Sequence, residues 1–119
     1  MIRILDEILL APEHIPALLA LLEERYLPQA AARGLTLQQR WVSPPVAVPG
    51  ELNRLWLLWQ VPDVWGYYAM RLGAGAEVRE FWAAVDERGH HLHRHVLGDA
   101  EQSLAHLEAM QPEATHHVA

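Results

Sequence analysis

The sequence predicts an α+β fold, a βαββαβ protomer with an antiparallel sheet, and three observations carry that expectation. Residues 2–10 alternate with period two, residues 15–26 repeat their apolar positions at helical spacing, and two strand-like stretches follow in tandem before a second long helix. That order, within 119 residues, is what the split βαβ of a ferredoxin-like unit requires.

The first strand sets Ile2, Ile4, Ile8 and Leu10 on one side against Arg3, Leu5, Glu7 and Leu9 on the other, with Asp6 interrupting the more apolar side. Pro12 closes it, and Pro16 is tolerated in the first turn of the helix that follows. Ile15, Leu18, Leu19, Leu22 and Tyr26 form one apolar stripe, Pro28 should kink the helix, and Gly34 is its natural stop. Strands are expected over 35–42 and 53–61, joined by the Pro-rich loop SPPVAVPG, a connection of the kind that rims a site. In the second of them Leu55, Leu57, Trp59 and Val61 oppose Trp56, Leu58 and Gln60, so both faces should be covered.

A short helix over 63–72 carries Trp65, Tyr67, Tyr68 and Arg71, and the GAGA after it is a flexible break. The last helix is expected over 77–96, with Val78, Phe81, Val85, Leu92 and Val96 on its core line. Residues 102–110 have helical propensity where the topology asks for a final strand. One domain over 1–110 and a flexible tail over 111–119 complete the expectation.

Composition excludes several functions. Without Cys there is no thiolate nucleophile, disulfide or Cys-ligated metal, and without Lys there is no Schiff base. A net charge of -6 with no basic stripe argues against nucleic acid as a partner. No run of about 20 apolar residues suggests a membrane span, and no signal peptide opens the chain, so a cytoplasmic protein is expected. Eight His make the charge sensitive to pH between about 7 and 5.

The combination of E-x-x-L-P at 24–28, Gly34, the Trp-rich strand and FWAAV at 81–85 resembles the NIPSNAP-like branch of the dimeric α+β barrel superfamily, over roughly residues 2–110. The resemblance implies a homodimer in which two ferredoxin-like protomers pack their sheets together, each keeping a pocket between sheet and helices. The superfamily includes antibiotic-biosynthesis monooxygenases, heme-degrading monooxygenases and muconolactone isomerase-like enzymes, so it implies a pocket rather than a reaction.

A hydrophobic or aromatic small molecule suits a pocket lined by some of Trp41, Trp56, Trp59, Tyr68 and Trp82, anchored by Arg40, Arg71 or His93. Proton transfer without a cofactor, or monooxygenation, is the chemistry the inventory permits, with Asp6 or Glu7 as base and His93 as partner. The competing role for either carboxylate is an ion pair, for which Arg40 is available. A serine hydrolase is disfavoured because Ser43 precedes Pro-Pro without a nucleophile elbow.

On a helix, His93 would share an edge with Trp82 and Asp86, while Asp86/His90 and His91/His95 are spaced i, i+4. Two such residues could share a metal, yet no third ligand is evident and neither metal nor cofactor is expected. The heme-degrading relatives carry an Asn on the first strand, a Trp early in the last helix and a heme-ligating His about three turns later. Trp82 and His93 match loosely, but the single Asn, Asn53, lies on another strand. The alternatives are therefore a non-catalytic homo-oligomeric interaction protein, or a heme- or metal-binding protein using the His-rich last helix.

Overall fold

The computed structural model describes residues 1–109. Strand β1 (Ile2–Leu10) leads through a short 3-10 turn into α1 (Ile15–Leu21), a π-helical turn (Leu22–Tyr26) and α2 (Leu27–Ala32). There follow β2 (Thr36–Ser43), β3 (Asn53–Val61), α3 (Val64–Leu72), α4 (Ala76–Arg88), β4 (Gly89–Gly98) and α5 (Ala100–Ala109). The four strands form one sheet in the order β2-β3-β1-β4, every pair antiparallel. β3 lies between β1 and β2, which is the expected split βαβ of a ferredoxin-like α+β protomer.

Pro28 acts where the sequence places it. It has no N–H and its ring would press on the carbonyl of Glu24, so the preceding turn widens and the Leu27 N–H donates to Leu22 O, five residues back. The α-helix resumes at Leu27, and the widened turn keeps Ile15, Leu18, Leu22, Tyr26 and Ala30 on one buried line. Gly34 then ends it at φ +76°, a conformation costly for any residue with a Cβ, and the Leu35 N–H closes back on Ala30 O.

The helices cover one face of the sheet. Ile4, Ile8, Leu55, Leu57, Trp59 and Val61 point to it and meet Leu18, Leu22, Tyr26, Phe81 and Val85. Among the described residues the opposite face carries no helix: Leu5, Leu9, Trp56 and Leu58 lie on it half-exposed, and Trp41 stands opposite Trp56. In this chain, the second face of β3 is thus only partly covered. Buried Asn53 donates to the carbonyls of Pro44 and Val46 and holds the Pro-rich loop against the start of β3.

Two expectations are corrected. The helix expected over 77–96 ends at Arg88, and its second half is β4. A Cβ at Gly89 would stand 2.0 Å from Leu9 O and 2.8 Å from Leu10 Cβ, so the backbone at this point runs hard against β1. From there the β1 edge offers a ladder from Leu10 to Ile2, and long-range pairing overrides local helical propensity. Leu92 and Val96, expected on a core line, are exposed strand residues. The final strand needed by the topology is therefore β4, and residues 100–109 are the helix α5, opened by Asp99, whose carboxylate accepts from the Gln102 N–H. The tail expected over 111–119 lies outside the described residues.

Gly89→Ala should destabilise the fold by about 2–3 kcal/mol, because the added methyl meets backbone rather than a movable side chain. A urea denaturation midpoint that matches wild type would show that β4 can leave β1 at this end without loss.

Candidate functional site

The polar centre of the molecule is Asp6, fully buried in the middle of β1 on the helix-covered face. Its Oδ2 accepts from Trp59 Nε1 at 3.0 Å and Arg94 Nη2 at 2.9 Å. Its Oδ1 meets His91 Nε2 and Arg94 Nε, both at 2.8 Å. The Arg94 fork is bidentate, the geometry in which a guanidinium best matches a carboxylate. Trp82, from α4, stacks on the His91 ring with centroids 4.2 Å apart and planes 22° apart, and the Arg94 guanidinium sits 5.4 Å from the Trp82 centroid. Tyr26 packs against both Trp59 and Phe81 and closes the inner side.

Burial by itself would push the Asp6 carboxyl up. Hydrogen bonds from His91 and Arg94, with the Arg94 charge, outweigh burial and hold it below the ordinary carboxylate range. Burial likewise opposes the charge on Arg94, and the bond and charge of Asp6 reverse that, so its pKa is raised.

A one-residue irregularity in β4 makes this cluster. Glu7 pairs with His93 and Ile8 with His91, leaving Leu92 without a partner on β1. Across that bulge His91 and Arg94, three residues apart, both reach the same face and the same carboxylate.

The structure separates the three residues expected to act together. Asp6 faces the helices, while Glu7 and His93 are cross-strand neighbours on the open face. There Arg54 Nε binds Glu7 at 2.8 Å, and the His93 ring lies 4.3 Å from that of His95. Arg40 is not available to either carboxylate, since β3 separates its strand from β1, and it pairs with Glu23. Of the expected ligand-binding residues, Trp59 is core, Trp82 covers His91, and Trp41 and Trp56 lie on the open face. The heme or metal alternative loses its premise, because the spacings it used belong to a helix and these His lie on a strand. Among the described residues no three His, Asp or Glu are grouped to hold a metal ion.

Tyr68 and Arg71 are brought together elsewhere. With Ile2, Val64, Tyr67 and Val96 they line a cavity of about 330 Å³ between α3 and the edge of the sheet. A larger cavity of about 470 Å³ adjoins it through Ile2 and Val64, walled by Met1 and Trp65 and by His106 and Leu107 of α5. Together they form an apolar trough with Arg71 over the Tyr67 ring at one side.

His91 and Arg94 were missed by the sequence reasoning because the segment was placed on a helix. Gly89 was the available signal: it follows a helical stretch and opens an alternation of His with other residues, H-x-H-x-H over 91–95.

Asp6→Ala should cost about 3–5 kcal/mol, since it strands a guanidinium and an imidazole that lose their shared partner. With a folded pKa below the unfolded one, Asp6 contributes stability that is present above the ordinary carboxylate range and is lost as pH falls through its lowered folded value. Asp6→Asn should therefore flatten the acid limb of a stability-against-pH curve. An unaltered acid limb would place the sensitivity elsewhere.

No protein-family model and no curated protein matches this sequence. Solved structures do. A NIPSNAP domain protein from Burkholderia xenovorans superposes with a TM-score of 0.59 at 17% identity, over 84% of this chain and 96% of that one. A protein from Agrobacterium tumefaciens gives 0.62 at 16%, over 84% and 94%. An antibiotic biosynthesis monooxygenase gives 0.53 at 15%, over 84% and 98%. At such identities the likeness is one of fold, and the resemblance drawn from the sequence holds at that level: this chain has the ferredoxin-like α+β fold found in the NIPSNAP domain protein and the antibiotic biosynthesis monooxygenase.

Proposed function

We propose that this chain is a cytoplasmic, homodimeric α+β barrel protein that binds a hydrophobic or aromatic small molecule. The observation that carries it is the trough along α3, the start of β1 and the end of β4. Each of its two cavities alone falls within the volume range usual for small-molecule sites, and the walls present mainly apolar surface, with Asp63, Asp99, Gln102, Ser103 and His106 among the residues of the larger cavity and Arg71 among those of the smaller. Arg71 supplies a positive charge beside Tyr67 and Tyr68, a pairing that suits an aromatic acid. The site differs from the pocket expected between sheet and helices at Asp6, where Trp59, Tyr26 and Phe81 fill the space.

Thermal denaturation against a panel of aromatic and polyketide-like acids tests the binding. A ligand at about 100 times its Kd should add about 2.7 kcal/mol of stability, and Val96→Trp, which fills the smaller cavity, should abolish the shift. A panel that leaves the wild-type transition unmoved overturns the proposal.

A second function, that of a non-catalytic homo-oligomeric interaction protein, is favoured by the open sheet face. Trp41, Trp56, Leu58, Leu5 and Leu97 make it apolar, and Glu7, Arg54, His93 and His95 set a polar patch within it. Sheet-to-sheet packing of two copies would cover both. Light scattering should return about twice the 13.5 kDa chain mass at pH 7.5 and a smaller particle at pH 5.5, where charged imidazoles would oppose burial. A mass unchanged between the two pH values would remove the His from assembly.

A further inference from the structure

We propose that His91 is the proton-accepting group of this protein, its ring held in one tautomer by Asp6 so that Nδ1 is bare. The proposal rests on the small-molecule function above and goes beyond it by assigning chemistry.

Asp6 cannot do this work itself. It has no exposed surface, and its two oxygens receive the Trp59 indole, both bonds of the Arg94 fork and the His91 ring, about as many partners as a carboxylate has lone-pair sites. A carboxylate held ionised offers only acceptors, so the bond to His91 Nε2 needs the proton on the ring nitrogen. In the neutral imidazole that leaves Nδ1 with its lone pair. The bond does not require a charged ring, because Arg94 already balances the carboxylate.

The ring is also fixed in plane. Trp82 covers one face at 4.2 Å, while the side chain keeps 27% of its surface open. The charged and titratable groups around it are Asp6 on β1 and Arg94 on its own strand, with Trp82 the side chain stacked on it from α4. Along β4 the same face continues through Arg94 to Val96, which walls the smaller cavity, while His91 stands five residues back along the strand and lines neither cavity.

The step is a proton transfer that balances without a cofactor. Nδ1 takes the proton from an acidic C–H beside a carbonyl, the C–H bond breaks, and its electron pair stays on the ligand as an enolate. The imidazolium so formed keeps its Nε2–H on Asp6, and returning the proton to another carbon of the same molecule completes an isomerisation. Asp6 is a positioning residue in this scheme.

Long-range 1H–15N spectra of ligand-free, 15N-labelled protein should show His91 protonated on Nε2 and bare on Nδ1, and Asp6→Asn should release that preference. For turnover, 5-nitrobenzisoxazole is a carbon acid whose ring opening is read by absorbance. Wild type should open it faster than buffer, His91→Gln should lose about 100-fold, and the exposed His90→Gln should not change the rate. The His91→Gln assay keeps the test decisive where Asp6→Asn does not fold. A proton on Nδ1, no acceleration by wild type, or equal rates for wild type and His91→Gln each overturn the proposal. Thermal shifts by the aromatic acids in His91→Gln separate the causes: shifts retained leave the binding function standing without the proton transfer, and no shift in wild type removes the binding function itself.

Discussion

A carboxylate with no solvent exposure stands at the centre of the central strand pair, and much of the molecule is arranged around it. Asp6 loses its hydration on folding, a cost of several kcal/mol unless the protein replaces the lost hydrogen bonds. The replacements come from two strands far from it in sequence: the indole of Trp59 on β3, and the imidazole and guanidinium of His91 and Arg94 on β4. Each is held from behind in turn. Tyr26, itself packed on Phe81, seats Trp59, and Trp82 covers His91. The bulge at Leu92 serves the same end, since two residues three apart on a regular strand face opposite sides and only one of them could reach the carboxylate.

The sheet therefore divides the polar chemistry of the chain in two. On the helix-covered face a single anion is saturated by a single guanidinium and two ring N–H groups, which makes the cluster rigid and close to neutral. On the open face Glu7, Arg54, His93 and His95 remain within reach of solvent among apolar neighbours. Adjacent residues in β1, Asp6 and Glu7, consequently belong to different environments with different uses. The apolar trough lies at one end of the sheet on the helix side, and the Asn53-pinned loop at the other end borders only a shallow, more polar cavity around Pro12 and Pro49.

Local pattern was sufficient where local physics decides. The alternation of β1 and β3, the apolar line from Ile15 to Tyr26, the disturbance at Pro28, the stop at Gly34 and the short helix ending at Leu72 all follow from side-chain period and backbone allowance, and all stand in the structure. The segment after Gly89 resisted because its neighbours pull the other way. Helix α4 runs into it without a Pro, and Asp86/His90 and His91/His95 fall at helical spacing by coincidence. What turns it into a strand is an unfilled edge of β1, a partner more than 80 residues away in sequence, and no window of a dozen residues contains that information.

The sequence by itself determined the class of fold, the order of its first three strands and the helices between them, and the presence of an acidic interruption on an apolar strand face, because each is a consequence of period, propensity and turn chemistry along the chain. Tertiary structure alone decided that the final strand is the His-bearing one, that Asp6 is met by His91 and Arg94 rather than by Arg40 or His93, and that the accessible apolar volume lies along α3. Those outcomes depend on which strand edge is free, on a one-residue bulge and on a shared partner in space, and pairing between distant segments settles them only once the sheet has assembled.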